Sequence, residues 1–208
     1  MQTDGQLAVT LPRFASERHA RSLVDDSRPA IRSWRLKHAK NIEPRLDGER
    51  VGQSHVLKFI PSETAKTTVR LHELTIEVSL AATAQPTDVS VQKQVHTYVM
   101  KALQKEARAY LPRRLRYLAD QYGFRYEKVR FGTPKGRWGS CSSSGTISLN
   151  VSLMALEPAL IDYVLTHELC HTKHMNHSSD FWKSVETFMP NYKALRKQLK
   201  TIQPTISV

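Results

Sequence analysis

His167, Glu168 and His171 form an H-E-x-x-H run, and a third histidine, His177, follows six residues after the second. Residues four apart on a helix share one face, one turn apart, so both imidazoles of the run would project from the same side. Two neutral imidazoles so placed can grip one Zn²⁺ at about 2.0–2.1 Å each. Glu168 stands about 100° around such a helix from His167, beside the metal rather than on it, within reach of a metal-bound water. These residue types in this order suit metal-assisted hydrolysis with the carboxylate as general base. Three protein ligands would leave a fourth position for water, as a catalytic zinc requires.

The elements that must position these groups can be read around them. Pro158 follows Glu157 near a helix start, where its missing N–H costs little. Leu156, Leu160, Val164 and His167 recur at helical spacing, as do Ile161, Leu165 and Leu169, giving an apolar face to bury. Asn176 tolerates left-handed backbone and offers a place for the helix to stop, so that His177 can turn back to the metal. Two residues compete with it for the third ligand position: His174, if the helix unwinds there, and Glu186 on the following helix. Spacing favours His177. Ser178 or Ser179 caps a helix through Phe188, with Phe181, Val185 and Phe188 facing the core, and Asn191 caps a last one from Tyr192 to about Lys200.

Upstream, 126–131, 137–142 and 146–150 read as strands separated by Gly-, Pro- and Ser-rich turns. A free edge on the strand at 146–150 would let an extended peptide add to the sheet across the cleft. A long helix is expected from Asp88 to about Gly123, kinked or split by Pro112. Arg113, Arg114 and Arg116 are its densest basic cluster and candidates for phosphate contact. Further upstream, 6–12, 55–60, 67–72 and 74–80 read as strands of an antiparallel sheet. Residues 15–23 and 29–40 read as helices, the second with a basic surface. His55, His72 and His96 read as ordinary polar residues.

The formal net charge is +12 and the pI near 9.9, which favours contact with nucleic acid or other anionic partners. Two cysteines, Cys141 and Cys170, make no disulfide framework. No apolar run approaches the ~18–20 residues of a membrane span. The N-terminus carries no basic-then-apolar signal, so a cytoplasmic location is expected.

Arg137-Trp138-Gly139-Ser140-Cys141-Ser142, Asn150, the H-E-x-x-H run, and Met175 to Ser178 with Phe181-Trp182 resemble the YgjP-like metal-dependent hydrolases, relatives of the WLM and SprT-like zinc peptidases. The close match spans about 85–200. The same ligand spacing occurs in the metzincins, where Gly stands at the position of His174. The resemblance implies a zincin core with His167, His171 and His177 as zinc ligands and Glu168 as general base. WLM and SprT-like members act on proteins crosslinked to DNA, which agrees with the basic charge.

The expectation is therefore an α+β chain: a zincin-like metallopeptidase core, its H-E-x-x-H helix packed on a small antiparallel sheet, with an N-terminal strand and helix extension. Residues 1–84 form the extension, 85–200 the catalytic domain and 201–208 a flexible tail. The expected activity is zinc-dependent hydrolysis of peptide bonds, near nucleic acid. Zinc would lower the pKa of its water toward ~7. Glu168 would take that proton and hand it to the leaving amine. Arg137, Asn150 and Tyr192 are candidates for the donor that, with zinc, holds the oxyanion. The rival reading is a zinc-stabilised nucleic-acid-binding module without catalysis.

Overall fold

The structure is a computed structural model that describes residues 21, 24–29 and 44–206. The chain divides into two compact units, Met1–Glu43 and Pro44–Val208. Of the first unit the described residues are largely helical, with Arg28 paired to Asp25 at 2.7 Å. The expected strand at 6–12 and nearly all of the helices at 15–23 and 29–40 lie outside the described residues.

The second unit opens with strands β1 (Arg50–Val51), β2 (His55–Pro61), β3 (Thr68–His72) and β4 (Thr75–Leu80). Their order in the sheet is β1-β2-β4-β3. β4 pairs antiparallel with β3 but parallel with β2, so the sheet is mixed, not antiparallel throughout as expected. The chain from 62 to 67 carries β3 past the neighbour position to the outside, and the β3–β4 hairpin then folds β4 back against β2. Glu73 makes that turn at φ 50°.

Helix α1 (Val89–Tyr122) buries a continuous stripe from Val91 to Ala119. It runs as one helix through Pro112, so of the expected kink or split the split does not occur. Leu111 and Leu115, fully buried on either side of the proline, hold this stretch in the core and offset the ~3 kcal/mol that an interior proline costs.

A second sheet holds β5 (Lys128–Gly132), β6 (Gly139–Cys141) and β7 (Thr146–Asn150) in the order β5-β7-β6. β5 pairs parallel with β7, and β6 antiparallel. The expected free edge at 146–150 is therefore absent, because both sides of β7 are taken. The Ser142–Gly145 turn folds β6 onto one side, and β5 fills the other. The outer strands are β5 and β6.

A 3-10 turn (Val151–Ala155) leads to α2 (Pro158–Cys170), then α3 (Ser179–Phe188) and α4 (Tyr192–Lys200). α2 is buried along most of its length, packed on α1, α3, α4 and the outer strand β6. One apolar core runs from the first sheet through α1 to α2 and Phe181. Ile202 and Ile206, beyond α4, pack against it. No described helix is long and apolar enough to cross a membrane.

A turn at 52–55 ties the first sheet to the rest. The Glu106 carboxylate on α1 accepts from the backbone N–H groups of Gln53, Ser54 and His55 at 2.7, 2.9 and 3.2 Å, and meets His55 Nδ1 at 2.6 Å. Gln53 Nε2 donates to the carbonyls of Met154 and Leu156, both at 2.8 Å, just before α2. Gly52 has φ +65°, and a Cβ there would overlap Glu106. His55, expected to be an ordinary polar residue, is a buried member of this clamp.

Candidate metal centre

The last turn of α2 presents His167 and Glu168, and His171 is its C-terminal cap residue. The helix ends here, earlier than Asn176. Thr172 Oγ1 donates to the Leu169 carbonyl at 2.7 Å, and the N–H groups of Thr172, Lys173 and His174 close a turn onto Leu169 and Cys170. These bonds satisfy carbonyls that a helix end leaves open, so no left-handed residue is needed at 176. The turn carries the chain back to His177, after which Ser178 caps α3 by accepting from Phe181 N at 3.4 Å.

His167 Nε2 lies 3.2 Å from His171 Nε2 and 3.1 Å from His177 Nε2. Among the described residues these three form the His/Cys/Asp/Glu group able to share a metal ion, with ligand atoms within 4.8 Å of one another. Ligands held at ~2.0–2.1 Å around a tetrahedral ion stand about 3.3 Å apart, so the spacing fits. His171 Nδ1 donates to the His174 carbonyl at 3.0 Å, which leaves Nε2 unprotonated and aimed at the shared point. His174 thus contributes its backbone, not its ring. Glu186, the other rival, is exposed and pairs with Lys193 at 3.4 Å.

Phe181, fully buried, is the floor of this cluster. Its ring stacks on His171 at 4.4 Å and meets His167 and His177 edge-on at 4.9 and 4.8 Å. Trp182 stacks on His177 at 5.5 Å and on Tyr192 at 5.5 Å, with the Arg196 guanidinium over its indole at 4.4 Å. Sequence periodicity placed Phe181 toward the core without revealing that its face would carry all three imidazoles.

The electrostatics favour the neutral form of the His167 and His171 rings, the state in which an imidazole ligates metal. Burial first, then the neighbouring His171, His177 and Arg196, push His167 down to about 3. Burial also lowers His171. Glu168 is 5% exposed, and burial pushes its carboxyl up to about 8, with Arg137 pulling it back. Its Oε2 is buried without a hydrogen-bond partner. Burial pushes the Cys141 thiol on β6 up to about 11, and Glu168 adds to the shift.

Asn150 is not an oxyanion donor. It is fully buried, its Nδ2 donates to the carbonyls of Pro134, Arg137 and Pro204, and its Oδ1 accepts from Ser152 N. The Tyr192 ring is buried against Trp182. Arg137 is exposed, with its charge felt at Glu168. Of the basic cluster on α1, Arg114 is not free for phosphate: it grips Asp162 with two bonds of 2.7 and 2.6 Å.

A family model described as YgjP-like, metallopeptidase domain, matches residues 1–202. Among solved structures, the chain is similar to the metallopeptidase zymogen abylysin of Pyrococcus abyssi. Identity is 31% over 43% of this chain and 91% of that one, with a TM-score of 0.40. It is also similar to the zymogen jannalysin of Methanocaldococcus jannaschii, at 16% identity over 43% of this chain and 93% of that one, TM-score 0.39. A comparison with curated proteins finds no match.

Proposed function

This chain belongs to the YgjP-like metallopeptidase family, and from that premise we propose that it cleaves peptide bonds with a zinc ion held by His167, His171 and His177. The observation that carries the reading is the convergence of three imidazoles over Phe181, with His167 Nε2 3.2 and 3.1 Å from the Nε2 atoms of His171 and His177 and all ligand atoms within 4.8 Å, and with the buried Glu168 next to His167 in the chain. A bound Zn²⁺ supplies Lewis acidity toward the peptide carbonyl and makes water a stronger acid.

The chain's own groups do the rest. Glu168 accepts the proton of the attacking water and passes it to the leaving amine. The low exposure of its carboxyl and of His167 limits competing solvent around the proton transfer. The His174 carbonyl fixes the His171 ring through Nδ1, and Phe181 fixes the planes of all three rings. The outer strand β6 stands against Glu168 and has β7 on one side only. An extended peptide adding to its other side would lie across the metal, held mainly by backbone bonds. This gives β6 the role expected from sequence of β7.

The alternative, a closed zinc site in a nucleic-acid-binding module, would want four protein ligands. The described residues offer three histidines and an adjacent carboxyl that is not among the cluster. The test is hydrolysis of an unfolded protein by the zinc-loaded chain, before and after chelation. The proposal expects chelation to end cleavage while circular dichroism stays native, and zinc to restore cleavage. Unfolding on chelation with no cleavage before it would support the structural-zinc alternative.

A further inference from the structure

The face of the second sheet turned away from the core carries a pocket of about 500 Å³. Side chains alternate along a strand. Ile147 and Leu149 are buried in the core, with Val129 and Phe131 packed against it, so Lys128, Arg130, Thr146 and Ser148 stand on the opposite face. The register then builds two rows. Arg130 lies opposite Ser148, which lies opposite Ser140, and Lys128 lies opposite Thr146. Arg137 completes the lining, which includes no carboxylate. Among the described residues no Asp or Glu forms a salt bridge with Lys128, Arg130 or Arg137. Solvated protein faces ordinarily intersperse both signs of charge. Here three cations and a group of hydroxyls converge, and none of the three cations is tied up in a salt bridge among the described residues.

The position of the pocket says what would fill it. Gly139 on β6 packs against Glu168, and its neighbours Ser140 and Cys141 line the pocket. Arg137 also lines it, and its charge reaches Glu168. The pocket thus reaches across the sheet from Lys128 and Arg130 on β5 to β6, and its β6 end and the Glu168 carboxyl flank the same outer strand. A peptide paired with that strand turns alternate side chains to the two faces of the sheet, one set toward the histidines and the other toward the pocket. We propose that the pocket is a specificity subsite for an anionic side chain of the peptide substrate, a carboxylate or a phosphoryl group. Arg130 can bind either with two parallel bonds, Lys128 adds a point charge, and the Ser and Thr hydroxyls donate to the remaining oxygens. The cations gather around one pocket instead of lining a stripe, which suits a single anionic group better than the repeating phosphates of a nucleic acid.

This inference rests on the peptidase reading, and the experiment separates the two. Fluorogenic peptides identical except for one residue, Gln, Glu or phosphoserine, are scanned through each position on the zinc-loaded wild type, Arg130→Gln and Lys128→Gln. The expected result is a kcat/KM about tenfold higher for Glu or phosphoserine than for Gln at one position. Arg130→Gln brings that ratio close to one, and the better of the two anions identifies the chemistry. A ratio of one in the wild type, or a preference unchanged in both variants, overturns the subsite while leaving the peptidase reading intact.

If no peptide is cleaved, the peptidase reading fails by itself. Binding of the same labelled peptides and of a short single-stranded DNA to Glu168→Gln, measured by fluorescence anisotropy, then decides the subsite. Tighter binding of the anionic peptides that is lost on adding Arg130→Gln supports it. Equal binding of all three peptides, or Arg130-dependent binding of the DNA alone, overturns it.

Discussion

Gly139 and Glu168 share one volume. A Cβ on residue 139 would stand 2.7 Å from Oε1 of Glu168, and 2.8 and 2.9 Å from its Cγ and Cδ. The outer strand and the proposed general base are therefore in contact, and only a residue without a side chain lets the carboxyl occupy this position. Gly139→Ala should push the carboxyl aside and cut kcat by about 100-fold, the cost of a misplacement on the order of 1 Å. Metal content should not change, because no imidazole moves. Wild-type turnover in this variant, measured alongside its zinc content, would separate Glu168 from the chemistry.

Glu168→Gln keeps the shape and removes the base. Peptide hydrolysis should fall about 10²- to 10⁴-fold, the usual contribution of a positioned acid–base group. Zinc should still bind, since the carboxyl is not one of the converging ligands. Elemental analysis together with a turnover assay checks both halves, and loss of zinc would recast Glu168 as a ligand.

Glu106 answers for stability. Its buried carboxylate serves three backbone N–H groups and the His55 ring in a partly buried turn that also reaches the lead-in to α2. Glu106→Ala leaves those donors without partners and should cost about 3–5 kcal/mol. In a unit of this size that lowers Tm by roughly 10 °C. Thermal unfolding followed by circular dichroism measures it, and a change under about 1 kcal/mol would mean that the turn holds without its anchor.

Asn150 ties three segments together. Its amide holds the 134–137 loop and the Pro204 carbonyl, and its carbonyl oxygen caps the 3-10 turn. Asn150→Ala should cost about 2–3 kcal/mol and free the segment after α4. Limited proteolysis should then cut near residue 204 faster than in the wild type, and an unchanged cleavage pattern would contradict this tie.

The clustering of three histidines was legible because its information is local. His167, Glu168 and His171 lie on one helical turn, and a spacing rule covers His177. The α2, α3 and α4 helices were legible for the same reason, through Pro158, Ser178 and Asn191. What escaped were relationships set by distant pairing. Nothing in 146–150 says that β5 joins it in parallel and makes it the middle strand, which leaves β5 and β6 as the outer strands. His55 and Glu106 are 51 residues apart, and neither carries a local mark of the other. Arg114 looked like part of an open basic cluster because Asp162, its partner, is 48 residues away. The pocket cations at 128, 130 and 137 are scattered in sequence and converge only through strand register. Alternation of Lys128 and Arg130 with Val129 and Phe131 was the signal that could have found two of them.

The central claim is that three imidazoles hold one metal ion. Zinc per chain should be measured by elemental analysis in the wild type, His171→Ala and His177→Ala after equal dialysis, with circular dichroism confirming the fold of each. About one zinc per wild-type chain and a large loss in both variants are expected. Equal metal in all three, or none in the wild type after zinc loading, would contradict the claim.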